Sequence, residues 1–104
     1  MQAQQLIHKA AALLDLREDQ PGAVIALQQA IAVADDAGAT IPGIEARVFL
    51  AEVLLLRPGS ETSARGLLHA ALALGARFTD DPDLVRPLLR KAEELLSGMN
   101  ASSP

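Results

Sequence analysis

The chain has no cysteine, tryptophan or tyrosine, and phenylalanine occurs only at Phe49 and Phe78. Without cysteine there is no disulfide, no thiolate metal ligand and no cysteine nucleophile, and the composition fits a reducing compartment. Aromatics at 2% leave no platforms for stacking bases, and a net charge of −4 with a pI near 5.0 supplies no cationic cluster for phosphate, so the sequence argues against nucleic acid as a partner. The longest apolar run, Val48 to Leu56, is interrupted by Glu52 and is too short to cross a bilayer. The start, Met1-Gln2-Ala3-Gln4-Gln5, lacks the cationic and apolar regions of a signal peptide. Together these absences predict a cytoplasmic chain with no membrane contact.

What is present is mostly alanine and leucine, within a hydrophobic fraction of 50%. Both residues favour helix, and few β-branched residues interrupt them, so the fold class is all-α. A length of 104 residues fits one domain. Arginine outnumbers lysine seven to two, which with abundant alanine suggests a GC-rich bacterial genome.

The apolar spacing predicts five helices. The first runs from about Ala3 to Arg17 on Leu6, Ile7, Ala10, Ala11, Leu13 and Leu14. The second spans about Pro21 to Ala37 and ends at Gly38. Thr40 is placed to cap a third helix that runs to about Leu56 and is apolar nearly all round, as expected of a helix lying between others. Ser60 is placed to cap a fourth that ends near Gly75. Thr79-Asp80-Asp81-Pro82 then reads as turn and capping chemistry. The fifth carries Leu84, Val85, Leu88, Leu89, Ala92, Leu95 and Leu96 on one face, with Pro87 in its first turn or kinking it. Gly98 is expected to end that helix, leaving residues 99–104 as a disordered polar tail.

Two stretches share their apolar spacing. Ala10, Ala11, Leu13, Leu14 and Leu16 recur as Leu50, Ala51, Val53, Leu54 and Leu56, an offset of 40 (50 − 10). Ala23, Leu27, Ala30 and Ile31 recur as Ala64, Leu68, Ala71 and Leu72, an offset of 41 (64 − 23). A period in this range marks a solenoid whose units bury apolar surface only against their neighbours. Residues 1–98 form the domain: repeat one over 3–38, repeat two over 41–76, and a capping helix over 82–97 that covers the exposed end.

The pattern Ile7, Ala10, Ala11, Leu14, Ala23, Leu27, Ala30, with Leu50, Ala51, Leu54, Ala64, Leu68, Ala71, resembles the tetratricopeptide repeat superfamily. The longer spacing and the Asp83-Leu84-Val85-Arg86-Pro87-Leu88-Leu89 stretch look more like the superhelical repeats of maltose-regulator-type bacterial transcription activators. Arg47, where a large apolar residue is expected, departs from the tetratricopeptide pattern. The resemblance implies a short right-handed superhelix of two antiparallel hairpins plus the capping helix. It also implies a peptide-binding groove lined by helices 1, 3 and 5. Carried over, the groove residues are Gln5, His8, Ala12 and Asp15, then Glu45, Val48, Phe49 and Glu52, then Asp83, Arg86 and Arg90. The Lys/Asn/Arg carboxylate clamp of that family is not reproduced by His8, Ala12, Val48 and Glu52.

No catalytic constellation is legible. His8 and His69 fall in different helices with no carboxylate at i+3 or i+4, so neither signals a metal site, and no cofactor is implied. The serines suit caps and the tail, and Asp35-Asp36, Asp80-Asp81 and Glu93-Glu94 suit solvated helix faces. Glu52 stands out inside the most apolar segment; if buried, it needs a partner such as Arg86 or Arg90. The chain therefore reads as a non-enzymatic scaffold for a protein or peptide partner. The alternative is a structural homodimer, either whole or a fragment of a larger bacterial regulator, joined through Leu6, Ile7 and Leu13 or through Leu95 and Leu96.

Overall fold

A computed structural model describes residues 2–77 and 82–102, with side chains through Met99. It is all-helical: α1 Gln2–Arg17, α2 Gln20–Ala37, α3 Thr40–Leu54, α4 Glu61–Arg77 and α5 Pro82–Ser102. Each helix packs beside the next, as short loops require. Contacts also join α1 to α3 and α3 to α5. Among the described residues, no Cα of α1 or α2 comes within 8 Å of one in α4. The chain therefore advances hairpin by hairpin and does not close into a four-helix bundle. Its extents are 38 × 30 × 20 Å, the shortest matching two helix layers: α1, α3 and α5 in one, α2 and α4 in the other.

Two apolar clusters hold the layers together, and α3 supplies one face to each. Ala46, Leu50 and Val53 join Ile7, Ala10, Ala23, Leu27 and Ala30 in the first. Ile44, Val48 and Ala51 join Ala64, Leu68, Ala71, Val85, Ala92 and Met99 in the second. That double duty is the physical reason α3 is apolar nearly all round.

Burial reveals a single period for both layers. In the even helices Ala23, Leu27 and Ala30 match Ala64, Leu68 and Ala71, all buried at an offset of 41 (64 − 23). The odd helices follow the same offset, Ala3, Ile44 and Val85 being buried at 44 − 3 = 41 and 85 − 44 = 41. Ala10, Ala51 and Ala92, again 41 apart, are each 0% exposed. The offset of 40 expected for the odd helices is thus one residue short. With the corrected register Ile7 aligns with Val48, both buried, and the apparent anomaly of Arg47 disappears. Arg47 aligns with Leu6 and reaches sideways to Asp35 in α2, Nη2 to Oδ2 at 2.7 Å and Nη1 to Oδ1 at 3.1 Å.

Helix ends depart from expectation for local reasons. Asp19 caps α2, its Oδ1 accepting from the Gly22 N–H at 2.9 Å. Gly38 ends it at φ +66, as expected. Thr40 is the first residue of α3 and not its cap; Ala39 holds the cap position without a side-chain bond. α3 stops at Leu54, and tighter bonds from Leu56 N to Val53 O and Arg57 N to Leu54 O turn the chain. Pro87 is the sixth residue of α5, beyond the first turn. α5 also runs past Gly98 to Ser102, because Met99 is buried in the second cluster and anchors the extension. The turn expected at Thr79-Asp80-Asp81 and the last two residues of the tail lie outside the described residues.

Candidate functional site

The centre of the odd-helix layer is a stripe on α3. Glu45, Phe49 and Glu52 stand at i, i+4 and i+7, which places them on one side of the helix. All three are half-buried. Leu56, four residues further in the following turn, is 62% exposed. Glu45 Oε1 accepts from Gln4 Nε2 of α1 at 3.0 Å. Glu52 Oε2 lies 3.4 Å from Lys91 Nζ of α5, with 39% and 47% of the two side chains exposed. One acid therefore reaches each flanking helix, and the ring of Phe49 lies between them against the first apolar cluster.

The same stripe exists on α1, 41 residues earlier: Gln4, His8, Ala11 and Asp15 align with Glu45, Phe49, Glu52 and Leu56. His8 and Asp15 are exposed, while Gln4 and Ala11 are half-buried against the neighbouring helix. The two stripes together carry three carboxylates (Asp15, Glu45 and Glu52), and Lys91 of α5 pairs with the last of them.

Of the groove residues named from the sequence, His8, Asp15, Glu45, Phe49 and Glu52 fall on these stripes. Gln5 and Ala12 are exposed, but each lies about 100° round α1 from the stripe, and the hydrogen bond to Glu45 comes from Gln4. Val48 is 2% exposed and packs in the second cluster, so it is core and not lining. These three displacements share one cause. An offset of 40 aligns Gln5 with Glu45, His8 with Val48 and Ala12 with Glu52; the burial register of 41 moves each by one residue.

Arg86 and Arg90 are exposed on α5. They border a hollow of about 320 Å³ beside α4, with Gly75, Val85, Leu89 and Glu93. The partner that Glu52 reaches is Lys91, which borders another hollow together with Arg86, Arg90 and Glu94. Lys91 is the residue that sequence reasoning missed; its signal was its place beside Ala92, the α5 counterpart of Ala51. Asp83 also lies on the outer surface of α5, beside Arg86 and Pro87. Glu52 is not a buried carboxylate.

The side chains expected to join two copies are already used within one. Ile7 is buried, and Leu6, Leu13, Leu95 and Leu96 pack against the two clusters. Among the described residues, the large apolar side chains left exposed are Leu16, Ile25, Leu56 and Leu84. Between α2 and α4 a second hollow of about 380 Å³ is lined by Gln28, Ile31, Leu50, Leu54, Ser63 and Leu67. Among the described residues, no group of three or more His, Asp or Glu is placed to hold a metal ion, and no helix is long and apolar enough to cross a membrane. The chain matches no protein-family model, no curated protein and no solved structure.

Proposed function

We propose that this protein is a non-catalytic interaction scaffold that holds a peptide or partner helix on the face formed by α1 and α3 and edged by α5. The observation that supports this most is the α3 stripe. Its residues are half-buried, and Glu45, Phe49 and Glu52 present charge and ring surface together. A concave or flat face with an aromatic anchor and a polar surround is the usual anatomy of a recognition surface. The resemblance to tetratricopeptide repeats supports the same face, since that family binds peptides along its first helices.

A second reading, self-association, draws on Leu16 and Leu56. Leu16 lies in the last turn of α1 and Leu56 two residues past the end of α3, at 83% and 62% exposure, and exposed leucines of this kind suit a second copy. Light scattering after size exclusion separates the readings, a strictly monomeric species removing the second.

The test of the first is affinity capture with wild-type protein and Glu52→Lys, read by mass spectrometry. The scaffold reading expects a partner that wild type retains and the variant loses, with unchanged circular dichroism and melting temperature. Equal capture by both proteins removes the α1–α3 face from the function.

A further inference from the structure

We infer that a second copy of this chain docks on the even-helix layer, its α2 lying in the groove between α2 and α4, with each copy seated in the other in the same way. The inference does not rest on the scaffold reading. Leu50 and Leu54 of α3 form the floor of this groove, whereas Glu52 stands about 160° round the helix from Leu54. The contact is also a different one from any through Leu16 and Leu56.

The groove exists because the even layer is splayed. The odd helices touch, α1 with α3 and α3 with α5, but no Cα of α2 comes within 8 Å of one in α4. Between them opens the hollow of about 380 Å³, walled by Gln28 and Ile31 of α2 and by Ser63 and Leu67 of α4. Beside it Ile25 projects from α2, 56% exposed. An apolar knob and an apolar hollow thus share one face, as a self-complementary two-fold contact requires.

Charge favours a second copy as the occupant. Two chains of net charge −4 repel, so they meet most easily where charge is absent. From Gln20 to Ala34, α2 has no charged side chain, and its exposed residues there are Pro21, Ile25, Gln28, Gln29 and Ala32. Between Arg65 and Arg77, α4 exposes Gly66, His69, Ala73 and Ala76. Depletion of charge at the centre is a compositional mark of interfaces. The rim carries both signs. Asp36 lies in the last turn of α2 and Arg77 ends α4, both exposed and one repeat apart (77 − 36 = 41). Among the described residues neither makes an ion pair, while Asp35 is held by Arg47. At the other end stand Asp19, Arg57 and Glu61, Arg57 donating to Gln20 Oε1 at 3.2 Å.

The helices α2 and α4, each antiparallel to α3, run the same way. A two-fold axis parallel to them seats the second copy's α2 between them with equivalent residues level. Ile25 of the second copy then enters the hollow, since 25 + 41 = 66 falls between Ser63 and Leu67. Asp36 of the second copy comes beside Arg77, and the axis repeats both contacts. With α2 at 18 residues, about 27 Å, and two helices presenting about 20 Å of width, the pair buries about 1,000 Å² in all. That meets the lower limit for a specific interface and makes the dimer a weak one.

The experiment is sedimentation equilibrium of the full chain over roughly 1–300 µM, a range that brackets a weak dimer. Wild type is expected to dimerise, and Ile25→Glu to stay monomeric with an unchanged melting temperature, Ile25 being a surface residue. Asp36→Arg and Arg77→Asp are each expected to weaken the dimer about tenfold, and the two together to restore it to within about threefold. Leu56→Glu is expected to leave it intact. A monomeric wild type overturns the inference; uptake of the neutral dye Nile red by that monomer, lost in Ile25→Glu, would give the groove to a small apolar ligand instead. A dimer that survives Ile25→Glu, or that Leu56→Glu dissolves, overturns it as well, and so does a charge-swapped double variant no tighter than its parents. None of these results bears on the scaffold reading, which is read from capture by wild type and Glu52→Lys.

Discussion

Gln4 Nε2 donates to Glu45 Oε1 at 3.0 Å across a separation of 41 residues, one full structural repeat. The two residues hold equivalent places on successive first helices, so the bond joins like position to like position. The same period governs the core, where Leu27 and Leu68 are each 0% exposed and occupy matching sites on α2 and α4. Leu27 belongs to the cluster shared by α1, α2 and α3, Leu68 to the one shared by α3, α4 and α5. Leu27→Ala and Leu68→Ala are each expected to lower stability by about 2–5 kcal/mol, through lost burial plus a residual cavity. Urea denaturation followed by circular dichroism measures both. A cost below about 1 kcal/mol at one site and not the other breaks the equivalence of the units.

Two glycines inside α4 should respond to alanine with opposite signs. Gly66 is exposed, and a Cβ added there meets nothing within 4 Å. Gly66→Ala is expected to gain about 0.5–1 kcal/mol from helix propensity and reduced unfolded-state freedom. Gly75 is buried, and its Cβ would lie 2.4 Å from Leu89 Cδ2 and 2.9 Å from Leu89 Cγ. Accommodation there requires the whole Leu89 side chain to turn or α5 to move off α4. Gly75→Ala is expected to lower stability by about 1–3 kcal/mol despite its better propensity. Thermal melts of the two variants decide it; a gain at Gly75 would mean that Leu89 has room to rotate.

Arg47 carries a different kind of contact. Its guanidinium meets both oxygens of Asp35 and also donates from Nη1 to the Gly43 carbonyl at 3.2 Å. The Arg47 side chain is 14% exposed and that of Asp35 52%, so solvent screens one end of the pair. Asp35→Ala is expected to cost about 0.5 kcal/mol and Arg47→Ala about 1–2 kcal/mol, the larger loss including packing of the Arg47 stem against α2. A double-mutant cycle in low and high salt isolates the pair; a coupling above about 2 kcal/mol, or one insensitive to salt, contradicts a screened surface contact.

How much of this was legible in the sequence depended on which physical signal carried it. The five helices and their order followed from alanine and leucine spacing broken by Pro21, Gly38, Pro42 and Pro58, all strong local signals. The all-round apolarity of α3 correctly placed it between neighbours. Register was harder, because Leu13-Leu14 and Leu54-Leu55 are doublets, and an alignment on Leu13 can take either Val53 or Leu54. Only burial distinguishes them: Val53 belongs to the first cluster, while Ala51 pairs with Ala10 in exposure and in place. That one-residue ambiguity aligned Gln5 with Glu45 and Ala12 with Glu52, where the burial register aligns Gln4 and Ala11. The rotation of α5 was also hidden, because it depends on how Gly75 admits Leu89, a contact between helices that no pattern within one helix records. The pairing of Lys91 with Glu52 was missed for that reason.

The joint between α1 and α2 holds the clearest local strain. Glu18 follows α1 with φ +53, the left-handed region that a side chain enters at a cost of about 1–2 kcal/mol, while Asp19 N–H closes the turn onto the Leu13 carbonyl at 2.9 Å. Gly38 holds the corresponding place after α2 at φ +66, with the Ala39 N–H bonded to the Ala34 carbonyl at 2.8 Å. Glycine relieves the steric cost at such a cap but brings a more disordered unfolded chain, and the two effects partly offset. Glu18→Gly is therefore expected to stabilise the protein by about 0.5–1 kcal/mol, and Gly38→Ala to destabilise it by about 1 kcal/mol. Glu18 is exposed, so its removal deletes no packing, and the gain should appear as a higher urea midpoint at unchanged slope. A fall in midpoint for Glu18→Gly would mean that the carboxylate makes a favourable contact strong enough to outweigh its strained backbone.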